Sequence, residues 1–348
     1  MLLVRAPVRI SFAGGGTDLP DYYERFGGMV VSAAIDKYFY VFVNDGQGEG
    51  VQISSSDYRA FYRWSPDEEP VWDGDLRLPR AILHEFGAGP GLSVFLASEI
   101  PPGTGLGSSS TVAVALVKAL STLRGQRLMP REVAETAARV EIERLGSPIG
   151  KQDQYAAAFG GINAIRFEAE GVQVKPLPLS PQVRAILQSR LLLFFTGTAR
   201  SANAILQEQR ASTRRSDSAV LEALHALKAL ARETEETLES GQAGRLGEVL
   251  HEGWMVKQRL AEGITNSHIE EIYQRARASG AVGGKVTGAG GGGFLLLCCE
   301  EERQPALCRE MASLGLRRMD FRFDEGGAKV LMNSAPRSAS REGAALIA

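Results

Sequence analysis

The run Pro101-Pro-Gly-Thr-Gly-Leu-Gly-Ser-Ser-Ser-Thr111 decides how the rest of the chain is read. Before it, Leu92–Ser98 reads as a strand. After it, residues 111–123 (TVAVALVKALSTL) read as a largely buried helix. Glycines at a strand-to-helix junction let backbone N–H groups approach a ligand closely. The helix N-terminus adds partial positive charge and the serines add hydroxyls, so the run suits an anion, above all a phosphate chain. Taken alone it is equally a glycine-rich turn with a serine N-cap. Two familiar phosphate loops are excluded. A Walker A loop needs Lys after its last glycine, where this chain has Ser108; a Rossmann fingerprint needs G-x-G-x-x-G after an early strand. The HRD and DFG motifs of protein kinases are missing as well.

Working outward, glycine is in excess: 39 of 348 residues, against a usual share of about 7%. There is no G-X-Y period, and the glycines cluster at Gly14–Gly16, Gly103–Gly107, Gly160-Gly161 and Gly283–Gly293. The length suits about two domains. Lys plus Arg number 39 against 41 Asp plus Glu, a net charge of −2, which argues against bulk electrostatic binding to nucleic acid or an anionic membrane. Cys298, Cys299 and Cys308 form no CxxC pair and the four histidines are scattered, so neither a zinc site nor a disulfide framework is expected. A reducing, cytoplasmic setting follows as the expectation. Arg5 and Arg9 interrupt the apolar N-terminus, so no signal peptide is expected, and no apolar run reaches the roughly 20 residues of a membrane span.

Along the chain, residues 2–12, 29–35, 38–43, 92–98, 190–196, 293–299 and 317–323 read as strands. Residues 44–80 read as loop with room for one hairpin. Residues 130–145 form an amphipathic helix with Pro at its start and Gly146 after its end, and 151–159 a further short helix. Residues 201–262 are almost wholly helical in pattern. A mixed N-terminal half (residues 1–190, carrying the glycine loop) thus gives way to a helix-rich half with its own small sheet (191–335), followed by a frayed tail (336–348).

PPGTGLGSSST resembles the second signature motif of the GHMP kinases, the galactokinase, homoserine kinase, mevalonate kinase and phosphomevalonate kinase superfamily. Arg5-Ala-Pro-Val-Arg-Ile-Ser-Phe-Ala-Gly-Gly-Gly-Thr-Asp18 resembles the first motif and Lys285-Val-Thr-Gly-Ala-Gly-Gly-Gly-Gly-Phe294 the third. The three occur in order and span essentially the whole chain. Gly150-Lys-Gln-Asp-Gln-Tyr155, Thr196-Gly-Thr-Ala-Arg-Ser201 and His251-Glu-Gly-Trp254 with Lys257 are similar to the branch that phosphorylates the anomeric hydroxyl of D-glycero-D-manno-heptose 7-phosphate. The resemblance implies an α+β, two-lobed fold. The N-terminal lobe would be like ribosomal S5 domain 2 and the C-terminal lobe ferredoxin-like, with the site between them. It implies ATP and Mg²⁺ as well. A kinase for another sugar such as fucose stays open, and so does a non-catalytic ligand sensor on the same scaffold. A homodimer is left open too; neither nucleic acid nor membrane is expected as a partner.

Carried over residue by residue, the resemblance makes Gly103, Thr104, Gly105, Leu106, Gly107, Ser108, Ser109 and Ser110 the triphosphate cradle. Ser109 and a helix carboxylate, Glu143 in preference to Glu141, become the Mg²⁺ ligands. Asp153 is the catalytic aspartate, Lys151 its neighbour, and Arg9 the cation beside aspartate and γ-phosphate. Gly15, Gly16, Thr17 and Asp18 would meet the sugar and Gly290 would line the site. Arg200 is the candidate for the sugar's own phosphate, with Lys257 and Arg210 as weaker ones. Trp64 and Trp72 would either wall the adenine or simply pack.

Overall fold

The computed structural model describes residues 1–46, 49–65, 73–197 and 202–334. Arg200, Trp72 and the tail from residue 335 lie outside them. The N-terminal lobe runs β1 (Leu2–Ala13), α1 (Pro20–Phe26), β2 (Gly28–Asp45), β3 (Val51–Ser55), β4 (Ala60–Trp64), α2 (Arg77–Glu85), β5 (Leu92–Ser98), α3 (Ser108–Leu123), α4 (Pro130–Ala138), α5 (Gln152–Phe159), β6 (Ile162–Glu168), β7 (Gly171–Pro176) and α6 (Pro181–Arg190). Then come β8 (Leu191–Phe195), α7 (Asn203–Arg214), α8 (Ser218–Glu239), α9 (Leu246–Lys257), α10 (Ser267–Ala278), β9 (Ala281–Val286), β10 (Phe294–Cys299), α11 (Gln304–Ser313), β11 (Arg317–Met319) and β12 (Lys329–Asn333).

β1 shows why the large sheet forms where it does. Leu2, Val4, Ala6, Val8, Ile10 and Phe12 alternate along it and all are buried, the two-residue period of a strand with one face in the core. The sheet has eight strands, ordered β12-β1-β2-β5-β3-β4, with β6 and β7 continuing from the first part of β2. The long β2 serves two neighbours in succession. Gly28–Ala33 pairs with β6, and after an irregularity at Asp36-Lys37 the stretch Phe39–Asp45 pairs with β5. The two strands read in the sequence at 29–35 and 38–43 are therefore one bent strand, and the hairpin allowed for in 44–80 is β3–β4.

α3 is apolar almost all round and is buried among β1, β2, α2, α4 and α5, as expected of a helix without a polar face. The smaller sheet is antiparallel in the order β11-β8-β10-β9. With helices in both crossovers this is the βαββαβ ferredoxin-like arrangement, its first crossover enlarged to four helices. The lobes are not separate beads. Val8, Ile10 and Phe12 of β1 share one core with Leu191 and Leu193 of β8, Leu296 of β10 and Leu246, Val249 and Leu250 of α9. β12 returns to the edge of β1, with Leu2 opposite Asn333 and Arg5 opposite Lys329. Among the described residues no helix is long and apolar enough to cross a membrane.

Candidate active site

Four segments converge at the N-terminus of α3. β1 supplies the first. With Val8 and Ile10 turned into the core, Arg9 and Ser11 share the opposite face and meet α5. The Arg9 guanidinium donates from Nε to Oδ1 of Asp153 and from Nη2 to Oδ2, both at 2.8 Å, a bidentate pair. Its third nitrogen donates to the Gly105 carbonyl at 2.7 Å, and the Arg9 backbone N–H donates to the Leu106 carbonyl. One arginine thus ties strand, carboxylate and glycine loop together. Ser11 donates to Oε1 of Gln152 at 2.9 Å.

The glycine loop supplies the second segment. Gly107 caps α3 with φ +82°, and a methyl there would lie 3.0 Å from Oδ2 of Asp153. The Asp153 carboxylate therefore sits directly against the positive end of α3, where an anion is favoured. Ser108 Oγ is buried without a hydrogen-bond partner, and Ser109 is exposed.

The helix carrying Glu141 supplies the third. Ser109 donates to its Oε1 at 2.6 Å; Ser110 and Gln154 donate to Oε2, each at 2.8 Å. Burial pushes the Glu141 carboxyl above its ordinary value. The three donors pull it back, and the charge of Asp153 adds to the rise. Glu143, favoured from the sequence, is exposed. Val133, Ala134, Ala137, Ala138 and Glu141 form the buried stripe, while Glu132, Glu135, Arg139 and Glu143 form the solvent stripe. The helical period alone therefore separates the two glutamates. From Arg139 to Arg144 the helix widens into a π-helical turn, a local irregularity often found at functional sites.

The fourth segment is the turn after β1. Asp18 is buried and accepts the N–H groups of Gly16 (3.0 Å) and Gln152 (3.2 Å). Burial raises its pKa, the Asp153 charge raises it further, and those N–H groups oppose the rise. Gly15 and Gly16 are half-buried beside it, and the Gly16 carbonyl accepts Gln209 Nε2. Thr17 is different. Its side chain is fully buried, bonded to the Gly14 carbonyl at 2.8 Å and accepting the Met29 N–H. It pins the turn and does not face the cleft.

The third glycine cluster closes over the second. A methyl on Gly288 would lie 2.5 Å from Cα of Gly105, so the two backbones are in contact only because neither has a side chain. Gly290 packs on Ile264. The Lys151 ammonium stands over the Tyr23 ring, 5.2 Å from its centroid, and not on Asp153. Arg210 is spent on an ion pair with Asp21. Trp64 packs beside Tyr62 against the core formed by the large sheet, α2 and α3.

The arrangement can hold an oxygen-rich anion on backbone N–H groups, a hard cation on Ser109 and Glu141, and a hydroxyl against Asp153. The family model for the GHMP kinases N terminal domain matches residues 76–161, and that for the GHMP kinases C terminal domain matches residues 226–315. This chain belongs to the GHMP kinases. It is 32% identical over 331 residues to the D-glycero-alpha-D-manno-heptose 7-phosphate kinase of Campylobacter jejuni subsp. jejuni, covering 93% of this chain and 97% of that protein. The crystal structure of a D-glycero-D-manno-heptose 1-phosphate kinase from Bacteriodes thetaiotaomicron superposes with a TM-score of 0.78 at 28% identity, covering 96% of this chain and 99% of the other. Lactococcus lactis galactokinase, crystallised with galactose, shares the fold at 17% identity and a TM-score of 0.73, with 94% of each chain covered.

In this GHMP kinase Arg9, Asp18, Asp153 and the glycine loop, all expected from the sequence, come together. Gln152 and Gln154, absent from that expectation, flank Asp153 and brace Ser11 and Glu141, and Lys257 does not lie on a solvated face. All three are buried. Uncharged amides leave no trace in a charge pattern, and a lysine at a helix end reads as solvated.

Proposed function

We propose that this GHMP kinase transfers the γ-phosphoryl group of ATP to the anomeric C1 hydroxyl of D-glycero-D-manno-heptose 7-phosphate, giving the 1,7-bisphosphate. The observation that carries the chemistry is the Arg9–Asp153 pair set against the N-terminus of α3. The choice of sugar rests on the relationship to the Campylobacter heptose 7-phosphate kinase.

In this reading Gly103–Ser110 cradle the triphosphate on backbone N–H groups, and the unpartnered Ser108 hydroxyl has a phosphate oxygen to donate to. Ser109 and Glu141 suit Mg²⁺, because a hydroxyl and a carboxylate oxygen side by side are hard donors and such a site needs few protein ligands. Mg²⁺ would neutralise charge on the triphosphate. Asp153 orients the C1 hydroxyl and takes its proton as the C1 oxygen bonds to the γ-phosphorus and the bond to ADP breaks. An anomeric hydroxyl is more acidic than a simple alcohol, so positioning weighs more here than basicity. Arg9 holds the carboxylate in place with its two hydrogen bonds. Asp18, with Gly15 and Gly16, receives the sugar hydroxyls. Arg200 is the candidate for the 7-phosphate. A cytoplasmic setting, where ATP is abundant and Cys298, Cys299 and Cys308 stay free, belongs to the same reading.

The Bacteriodes relative is named for a heptose 1-phosphate, which favours a second reading in which the acceptor lies elsewhere on the sugar. Incubation with ATP, Mg²⁺ and a panel of free and phosphorylated sugars, with ³¹P NMR of the product, decides between them. A new phosphate on C1 of the 7-phosphate is expected. Preferred turnover of a sugar without a distal phosphate, or phosphorylation at another oxygen, refutes the proposal.

A further inference from the structure

Lys257 is the last residue of α9 and only 6% exposed. Its ammonium donates to the Gly288 carbonyl, in the loop whose Gly288 presses on Gly105 of the phosphate loop. The charges that act on it are those of Arg9 on β1, Asp18 in the following turn and Asp153 on α5. Lys285 on β9 lies behind it, also buried, with Nζ 3.4 Å from the Phe12 carbonyl. Two lysines and an arginine therefore converge beside the cleft, and burial with the charges of Lys257 and Arg9 pushes the Lys285 pKa far down. Arg9 is neutralised by Asp153. Lys257 has no ion-pair partner among the described residues, only a carbonyl. Burial, with Arg9 adding to it, brings the Lys257 pKa down to about 8 against the pull of Asp18 and Asp153.

A buried ammonium without a carboxylate is costly to the fold and is relieved by an incoming anion. Two anions enter this cleft in the proposed reaction. The phosphate already on the sugar sits at the far end of a seven-carbon chain from the acceptor hydroxyl, away from Asp153. In the kinase reading the γ-phosphoryl group would meet Arg9, Asp153 and the Gly105–Gly288 contact, and Lys257 is bonded to Gly288 at that contact and feels the charges of Arg9 and Asp153.

We propose that Lys257 is a catalytic residue whose ammonium contacts the oxygens of the transferring γ-phosphoryl group. This rests on the kinase reading above. The bond from phosphorus to ADP breaks, the bond to the sugar oxygen forms and the proton goes to Asp153; Lys257 gives up no proton and takes up charge on the equatorial oxygens. The C-terminal lobe thereby completes a site otherwise built on the N-terminal one.

The test is Lys257→Met and Lys257→Arg in the full chain, with thermal unfolding to confirm that both fold. Steady-state kinetics use the sugar that the panel selects, and calorimetric titrations use ADP and a non-hydrolysable ATP analogue without sugar. For Lys257→Met, kcat falls by about 10²-fold or more, the scale for removing one pre-organised charge donor from a transition state. Affinity for the ATP analogue falls by about tenfold while that for ADP stays within about twofold, since only the analogue carries a γ-phosphate. Lys257→Arg recovers part of both. Equal losses for ADP and the analogue would place Lys257 in loop support only. An unchanged kcat with a raised KM for the sugar would assign it to the sugar's own phosphate. Either result overturns the proposal. The nucleotide titrations need no sugar, so a wrong sugar assignment shows as absent turnover by the unmodified enzyme and leaves this arm intact.

Discussion

Replacing Glu141 by Gln separates metal binding from folding. The carboxylate accepts three hydrogen bonds, at 2.6 Å from Ser109 and 2.8 Å each from Ser110 and Gln154. Bonds to a charged group are worth about 1 kcal/mol more than neutral ones, so the amide gives up about 3 kcal/mol. Against this, the amide need not be stripped of water as an ion, a cost of several kcal/mol for a buried carboxylate. The two nearly cancel, and the unfolding temperature should move by no more than about 4 °C at neutral pH. The sign of the pH dependence follows from the raised pKa. Glu141 favours folding fully below its unfolded pKa, and that contribution is lost as pH rises through the folded value. Relative to the unmodified protein, Glu141→Gln therefore gains stability as pH rises above the ordinary glutamate range. Activity goes the other way. Even outer-shell partners of metal ligands are worth 10- to 100-fold in affinity, so losing Glu141, the proposed ligand, should raise the Mg²⁺ requirement by about 100-fold or more. Glu143→Gln, on the solvent stripe, should leave both unchanged. Calorimetric melts across pH and initial rates against Mg²⁺ concentration read the two effects. Wild-type Mg²⁺ dependence in Glu141→Gln, or its loss in Glu143→Gln, would refute the assignment.

Asp153→Asn should lower kcat by at least about 10²-fold with ATP affinity retained, as measured by single-turnover rates beside nucleotide titration; undiminished turnover would remove Asp153 from the chemistry. Arg9→Lys keeps the charge but not the two-pronged geometry or the reach to Gly105, and kcat should fall by about tenfold or more; full activity would make Arg9 a point charge only. For Asp18, burial and Asp153 raise the pKa, so sugar kcat/KM should start to fall on acidification above the ordinary carboxylate range, and Asp18→Asn should flatten that limb. A profile that keeps the limb in the variant would assign it to another group.

The three glycine loops were readable because their chemistry is local. Each needs backbone in contact with something, and glycine at fixed spacing states that directly. Arg9 and Asp153, 144 residues apart, could be paired only through the family resemblance. The choice between Glu141 and Glu143 was readable in principle from the apolar stripe at 133, 134, 137 and 138, which points to 141. Strands that depend on distant partners were harder. β12 is short and largely exposed, with nothing in its own residues to say that it belongs to β1. The stretch 317–323 has strand-like composition, but only Arg317–Met319 finds a continuous partner, because Phe323 instead bridges to Ile35 in the other lobe.

The return of β12 to β1 bears on how the enzyme is made. β1 carries Arg9, yet its outer edge stays open until residues 329–333 have been synthesised. While everything between the two strands is being made, the strand that holds the Arg9–Asp153 pair keeps an unpaired edge, the kind of surface on which nascent chains join one another. Activity should therefore appear only once β12 has been made, and a message cut short ahead of β12 should yield a sticky protein as well as an idle one.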